Sequence, residues 1–209
     1  MPPARPNRSV VVFDLGGVLL DWNPRHLYRK LFNGDEAAME HFLGNVCTTQ
    51  WNERQDAGRT FAEAVEELMP MHADKRALID AFHARFDEMI AGPIEGSVEV
   101  LSELWQRGVP LYAVTNFSAE TFPPQRDRFA FLAWFRGIVV SGDEGIIKPD
   151  PRIFAILCER YRIAPRDAVF IDDVARNAAA ASALGIHGIH FQSAGQLRRE
   201  LAALGLLDQ

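Results

Sequence analysis

The chain has 209 residues, 48% hydrophobic and 24% charged, a balance that suits a globular protein with a sizeable core. A net charge of −6, with no block of basic residues, argues against nucleic acid or an anionic membrane as partner, since both reward clustered Lys and Arg. Two cysteines, Cys47 and Cys158, lie far apart without CxxC spacing, which excludes a disulfide scaffold and a cysteine zinc site and fits a reducing, cytoplasmic setting. The opening MPPARPNRSVVVFDLGGVLL sets arginines ahead of an apolar run, as a signal peptide does, yet Asp14 interrupts the run and no small-residue cleavage site follows. Residues 1–8 read as a Pro-rich mobile tail, and no stretch is long enough to span a bilayer.

Strands are predicted at VVVFD (10–14), PLYAVTN (110–116), GIVVS (137–141), AVFIDD (168–173) and GIHGIHF (185–191). Each is short and almost continuously apolar, the pattern of strands covered on both faces in a parallel sheet. Helices are predicted over SVEVLSELWQRG (97–108), PRIFAILCERYRI (151–163) and NAAAASALG (177–185), with Gly108 and Gly185 just past two of the ends. This alternation gives an α/β fold: a doubly wound parallel sheet with right-handed crossovers. Residues 22–92 break the rhythm. They are rich in helix formers, lack a clear strand, and read as a helical module inserted into a core of residues 1–21 and 93–209, with AGPIEG (91–96) as the returning linker. Phe32, Phe42, Phe61, Phe82 and Phe86 fall at helical spacings and read as the core of that module. His187 and His190 belong to the last strand and form no metal-ligand cluster; scattered arginines such as Arg128 read as solvated helix faces.

Ligands of open parallel sheets bind beyond the carboxyl ends of the strands, where strand order reverses. Here the first strand ends on Asp14, with Gly16 and Gly17 in the turn behind it, and the second ends on Thr115 and Asn116. SGDEGIIKPD supplies Lys148 after the third, and the fourth ends on Asp172 and Asp173. Each has a plain alternative: Asp173 as a helix N-cap, Thr115–Asn116 as a turn start, Lys148 as an exposed residue before a helix-opening proline. Four such groups at four strand ends point to one task. Asp14, Asp172 and Asp173 brought together repel, one like-charge pair at ~4 Å by roughly 4 kcal/mol at an effective dielectric near 20, and a divalent cation relieves this. Hard oxygen ligands select Mg2+.

The ordered set FDLGGV, VTN, IIKPD and FIDDVARN resembles the four motifs of the haloacid dehalogenase-like (HAD) hydrolases, and residues 22–92 resemble their helical C1 cap. The pattern is most similar to the sugar-phosphate phosphatases of that family. The resemblance implies that Asp14 is the nucleophile, that Thr115 and Lys148 hold the transferring group, and that Asp14, the Gly16 carbonyl and Asp173 ligate Mg2+ with Asp172 behind them. Gly16, Gly17, Asn116 and Lys148 would then line the phosphate, which backbone N–H groups of the stripped turn can cradle.

One position departs from the family pattern. Most phosphatases of the family carry Asp-x-Asp in the first motif, the second Asp protonating the leaving group, and here that position is Gly16. A positioned general acid is worth ~10²–10⁴-fold in rate. Three readings stay open: a phosphatase with a better leaving group, another acid (Asp21 or Glu144) or a solvent-fed proton; a 2-haloacid dehalogenase, whose halide needs no proton; or a phosphate-ligand binder without turnover. Asp172–Asp173 favours the phosphatase, because a metal-free dehalogenase gains nothing from two further carboxylates. The expected substrate is a small phosphorylated metabolite such as a sugar phosphate. Trp22 and Arg25 are candidate contacts, as are Trp51, Asn52 and Arg54 in the polar stretch TTQWNERQDAGRT, each with surface or cap-core roles as the alternative.

Overall fold

The computed structural model describes residues 8–208. The expected tail lies outside the described residues except at Arg8, which is docked: its guanidinium donates to the Arg166 and Ala168 carbonyls at 2.6 and 3.2 Å.

Among the described residues seven strands form: β1 (Val10–Phe13), β2 (Leu20–Trp22), β3 (Ile90–Pro93), β4 (Leu111–Thr115), β5 (Gly137–Val140), β6 (Ala168–Asp172) and β7 (His187–His190). Five make one parallel sheet in the order β5-β4-β1-β6-β7. The all-apolar runs follow from its burial. Val11 and Phe13 belong to one hydrophobic layer and Val12 to the opposite one, as the period of two requires. The chain leaves β1 for one side of the sheet and later returns to the other, so strand order reverses at β1.

The helices are α1 (Arg25–Leu31), α2 (Glu36–Asn45), α3 (Thr49–Asp56), α4 (Phe61–His72), α5 (Arg76–Ala84), α6 (Glu95–Gln106), α7 (Pro123–Arg128), α8 (Ser141–Glu144), α9 (Pro151–Tyr161), α10 (Ala175–Ala183) and α11 (Ala194–Ala203). Residues of α6 and α11 pack in the layer of Val11, and those of α9 and α10 in the layer of Val12. The first five helices all fall between β2 and β3, within the segment 22–92 expected to form the inserted module. Its helix starts are encoded locally: the Asp35 and Thr48 side chains accept main-chain N–H groups, and Thr60 with Glu63 makes a reciprocal capping box.

One expectation is corrected here and another is extended. The passage between core and module is a strand pair: β2 and β3 run antiparallel, and the predicted linker is half strand, with α6 already under way at Glu95. Strands of three and four residues that include Gly92 and Pro93 carry no alternation to read. Arg128 is exposed as a solvated arginine is, yet it also acts as a clamp, its guanidinium donating to the Asp87 and Ile90 carbonyls at 2.7 and 2.9 Å, beside β3.

Candidate active site

Asp14 follows β1 directly. Its N–H donates to the Ile171 carbonyl at 2.8 Å, which fixes the residue at the seam between β1 and β6. One carboxylate oxygen accepts the Leu15 N–H at 2.7 Å, and the other faces Lys148 Nζ at 2.7 Å. The same ammonium is 2.7 Å from Asp172 Oδ2. Lys148 is only 1% exposed, so the reading of it as a surface residue fails, and its loop is held by Asn116. Asn116 Oδ1 accepts the Lys148 N–H at 2.8 Å, and Nδ2 donates to the Lys148 carbonyl at 3.1 Å. That side chain is occupied in positioning the lysine, although the residue also lines the cavity.

Asp172 accepts from Lys148, from Asn177 Nδ2 at 3.0 and 3.1 Å, and from the Val174 N–H at 2.8 Å. It is fully buried and its lone pairs are in use, so it orients groups around it and has little left for a ligand. Asp173 is exposed and does not cap α10, whose start has no side-chain cap. Thr115 ends β4 with a buried hydroxyl that has no hydrogen-bond partner in the protein. Gly17 takes φ +72°, and a Cβ there would overlap the Asp173 carboxylate, whereas nothing lies within 4 Å of a Cβ built at Gly16.

Asp14, Gly16, Gly17, Asn116, Lys148 and Asp173, but neither Thr115 nor Asp172, line a cavity of about 620 Å³ between the sheet and the helical module, and Trp22 and Arg25 are among its other lining residues. Arg25 donates to both Glu40 carboxylate oxygens, at 2.5 and 2.7 Å, and the buried Trp22 indole N–H has no partner. Asn52 lines the cavity as well. Trp51 does not. Its ring packs edge-on against Phe61 and Phe82, and Nε1 donates to the Ala64 carbonyl at 3.2 Å, so it belongs to the module's core. Arg54 points away and pairs with Glu67. Neither acid named as a substitute donor is in the cavity: Asp21 pairs with His26, and Glu144 with Arg160. Phe82 and Phe86 are buried as expected and also give the cavity an apolar wall.

Sequence reasoning assigned no role to Asn177 or Asp56. Asn177 was legible as the last residue of FIDDVARN, where it reaches back one helical turn to Asp172. Asp56, at the end of α3, lines the cavity along with Asp14, Gly16 and Lys148.

A single ammonium faces three carboxylates, which leaves an excess of negative charge. Burial pushes the Asp14 carboxyl up to about 7 against the pull of Lys148, and Asp172 and Asp173 add to the rise. Burial and Asp172 also raise Asp173. Burial opposes the Lys148 charge, but Asp14 and Asp172 outweigh it and raise its pKa, keeping the ammonium protonated. Oxygen atoms of Asp14, Asp172 and Asp173 lie within 4.8 Å of one another, so Asp14 and Asp173 can offer hard oxygen ligands with the charge of Asp172 behind them, which fits a divalent cation.

The family model for haloacid dehalogenase-like hydrolases matches residues 9–185. The chain belongs to this family. It is 29% identical over 213 aligned residues to mouse acyl-CoA dehydrogenase family member 10, covering 93% of this chain but 19% of that protein. It is 26% identical to the sesquiterpene phosphatase astK of Aspergillus oryzae, covering 87% of this chain and 89% of that one. The fold matches a HAD family enzyme from Bacteroides thetaiotaomicron solved with magnesium and inorganic phosphate, at TM-score 0.67 and 22% identity, covering 88% of this chain and 94% of that one.

Proposed function

We propose that this HAD hydrolase is a magnesium-dependent phosphatase of a small phosphorylated metabolite, with a sugar phosphate as the favoured class. The observation that carries the reading is the convergence of Asp14, Asp172 and Asp173 on one point beside the buried Lys148 ammonium. The magnesium and phosphate in the Bacteroides neighbour and the phosphatase among the relatives support it. Asp14, Asp173 and the Gly16 carbonyl would hold Mg2+, which when bound supplies positive charge to the phosphoryl oxygens.

Asp14 is the nucleophile of this reading. Its Oδ2 attacks phosphorus, and water then hydrolyses the aspartyl phosphate, so one difficult displacement becomes two easier ones. Lys148 balances charge on the transferring group from a position fixed by Asn116 and Asp172. The unpartnered Thr115 hydroxyl is suited to donate to a phosphoryl oxygen. Phosphoryl transfer is mostly positioning and charge stabilisation, and these groups supply both. A cavity of about 620 Å³, with Phe82 and Phe86 on one side and Arg25, Asn52 and Trp22 on the others, suits a metabolite-sized substrate.

Phosphate release from a panel of phosphorylated metabolites, with magnesium and with chelator, tests the reading. Release that requires magnesium and vanishes in Asp14→Asn is expected. Halide release from a 2-haloacid in chelator, or tight binding of a phosphate compound without product, would overturn it.

A further inference from the structure

We propose that Asp56, carried on the inserted helical module, is the proton donor that the turn after Asp14 lacks at Gly16. The inference rests on the phosphatase reading above and names a group that reading leaves unfilled. Asp56 is the last residue of α3 and lines the cavity that also holds Asp14, Gly16 and Lys148. Glycines make the close packing there: Gly58 lets the module approach the core, and Gly142 lets two core loops meet beneath it. Gly58, at φ +98°, is so near the Gly142 carbonyl that a Cβ would stand 3.2 Å from it, and a Cβ on Gly142 would overlap the 117–119 backbone. Asn52 Nδ2 donates to Asp56 Oδ2 at 3.0 Å, fixing one oxygen. The two acids suggested by the sequence, Asp21 and Glu144, are tied to His26 and Arg160 outside the cavity; of the other acids that line it, Glu40 is held by Arg25 and Asp173 belongs to the candidate metal site. Glu53, the other α3 acid lining the cavity, is engaged by Arg176 at 3.1 Å.

The electrostatics agree with the geometry. Burial, with the charges of Glu53 and Asp14, raises the Asp56 carboxyl to about 7 against the pull of Lys148 and a main-chain bond from Ser118. A general acid must hold its proton near the working pH, and these surroundings favour the protonated form.

In the first step an Asp14 oxygen bonds to phosphorus while the bond from phosphorus to the ester oxygen breaks. The departing oxygen takes the Asp56 proton and leaves as the alcohol, and Asp56 becomes a carboxylate. In the second step that carboxylate takes a proton from water as the water oxygen bonds to phosphorus. The bond to Asp14 breaks, inorganic phosphate leaves, and Asp14 is again a carboxylate with Asp56 again protonated.

The test compares kcat/KM, which reports the first step, for p-nitrophenyl phosphate and for an alkyl phosphate. The aryl leaving group needs no proton and the alkoxide does. In the full chain with magnesium, Asp56→Asn should lose ~10²–10⁴-fold on the alkyl ester and less than about tenfold on the aryl ester. Retained aryl activity also reports that the variant is folded. Asp56→Glu should recover part of the loss. Adding Gly16→Asp to Asp56→Asn should restore alkyl activity, because the space at Gly16 is open. Equal losses on both esters, or a change in KM alone, would overturn the donor role while leaving the phosphatase reading intact. A wild-type chain inert toward every phosphate ester would overturn that reading, and this one with it.

Discussion

The Lys148 ammonium is held 2.7 Å from Asp172 Oδ2, and neither side chain is exposed to solvent. Every partner of Asp172 is a donor: the lysine, the Asn177 amide and the Val174 N–H. An amide at this position removes one of the two carboxylates that balance the buried Lys148 ammonium and turns a donor of its own toward those donors. Asp172→Asn should therefore lower the unfolding free energy by about 3 kcal/mol, the cost of breaking a buried charge pair from one side. Activity should fall by ~10²-fold as Lys148 loses its orientation. Asp173→Asn, at an exposed position, should leave metal-free stability unchanged or slightly raised. Urea melts in chelator separate the two, and equal losses would show that burial of the charge is not what distinguishes them.

The two glycines behind Asp14 differ physically. Gly17 is in the left-handed region and in contact range of Asp173, so Gly17→Ala combines backbone strain of roughly 1–2 kcal/mol with displacement of an acid of the candidate metal site. Gly16 has an ordinary backbone and open space. Gly17→Ala should weaken magnesium binding measured by titration calorimetry at least tenfold, and Gly16→Ala should leave it within about threefold. The opposite ranking would remove the link between this turn and the cation.

The sheet was legible because VVVF, LYAVT and AVFID have no polar face to spare, and the site was legible because its acids stand directly at the ends of those strands. Asn177 was within reach of the same logic, one turn into a helix that starts beside Asp172. Asp56 was not. It closes a polar helix, TQWNERQD, whose periodicity marks no buried acid, and its environment is created by glycines at 58 and 142 that meet only in three dimensions. The β2–β3 pair was hidden for another reason: strands this short, one of them ending Gly-Pro, leave no alternation. Trp51 looked like a substrate contact because its neighbours in sequence are polar. Its neighbours in space are Phe61 and Phe82.

That contrast can be measured within α3. Trp51 is 5% exposed in an aromatic cluster, so Trp51→Ala should cost about 3–5 kcal/mol, the usual range for removing a large buried aromatic. Arg54, mostly exposed and paired with Glu67, should contribute no more than about 1 kcal/mol when replaced by alanine. Thermal unfolding of both variants decides the matter, and a Trp51→Ala chain that melts like the wild type would return the indole to the list of candidate substrate contacts.

Arg25 meets Glu40 across the mouth of the cavity, with both side chains more than two-fifths exposed. Such a pair contributes about 0–1 kcal/mol to stability, so Arg25→Ala should melt within a degree or two of the wild type. If the guanidinium binds the substrate beyond its phosphate, KM should rise about tenfold with kcat changed less than threefold. An unchanged KM on the best metabolite of the panel would remove Arg25 from the binding surface.

Metal-free stability should fall as pH rises. Burial lifts both Asp14 and Asp56 to about 7 from an ordinary value of 3.8, so between those values the folded chain keeps protons that the unfolded chain has released. Asp173 is raised as well and acts in the same direction. His187, lowered by burial, acts oppositely, but only below its ordinary 6.5. The acids held low by arginine partners, such as Asp150 at about 2, act below pH 4. In chelator, the unfolding free energy should therefore drop by about 2 kcal/mol or more between pH 5 and pH 8, and fall again above the ordinary thiol value of 9.0, where burial raises Cys47 to about 12. Asp56→Asn should flatten the slope in part, and Asp14→Asn further. Magnesium binds the ionised carboxylates, so the stabilisation it adds should be larger at pH 8 than at pH 5. Melting curves at a series of pH values, with chelator and with millimolar magnesium, read all three effects. A flat chelator profile would mean that these carboxyls are not held protonated by their surroundings.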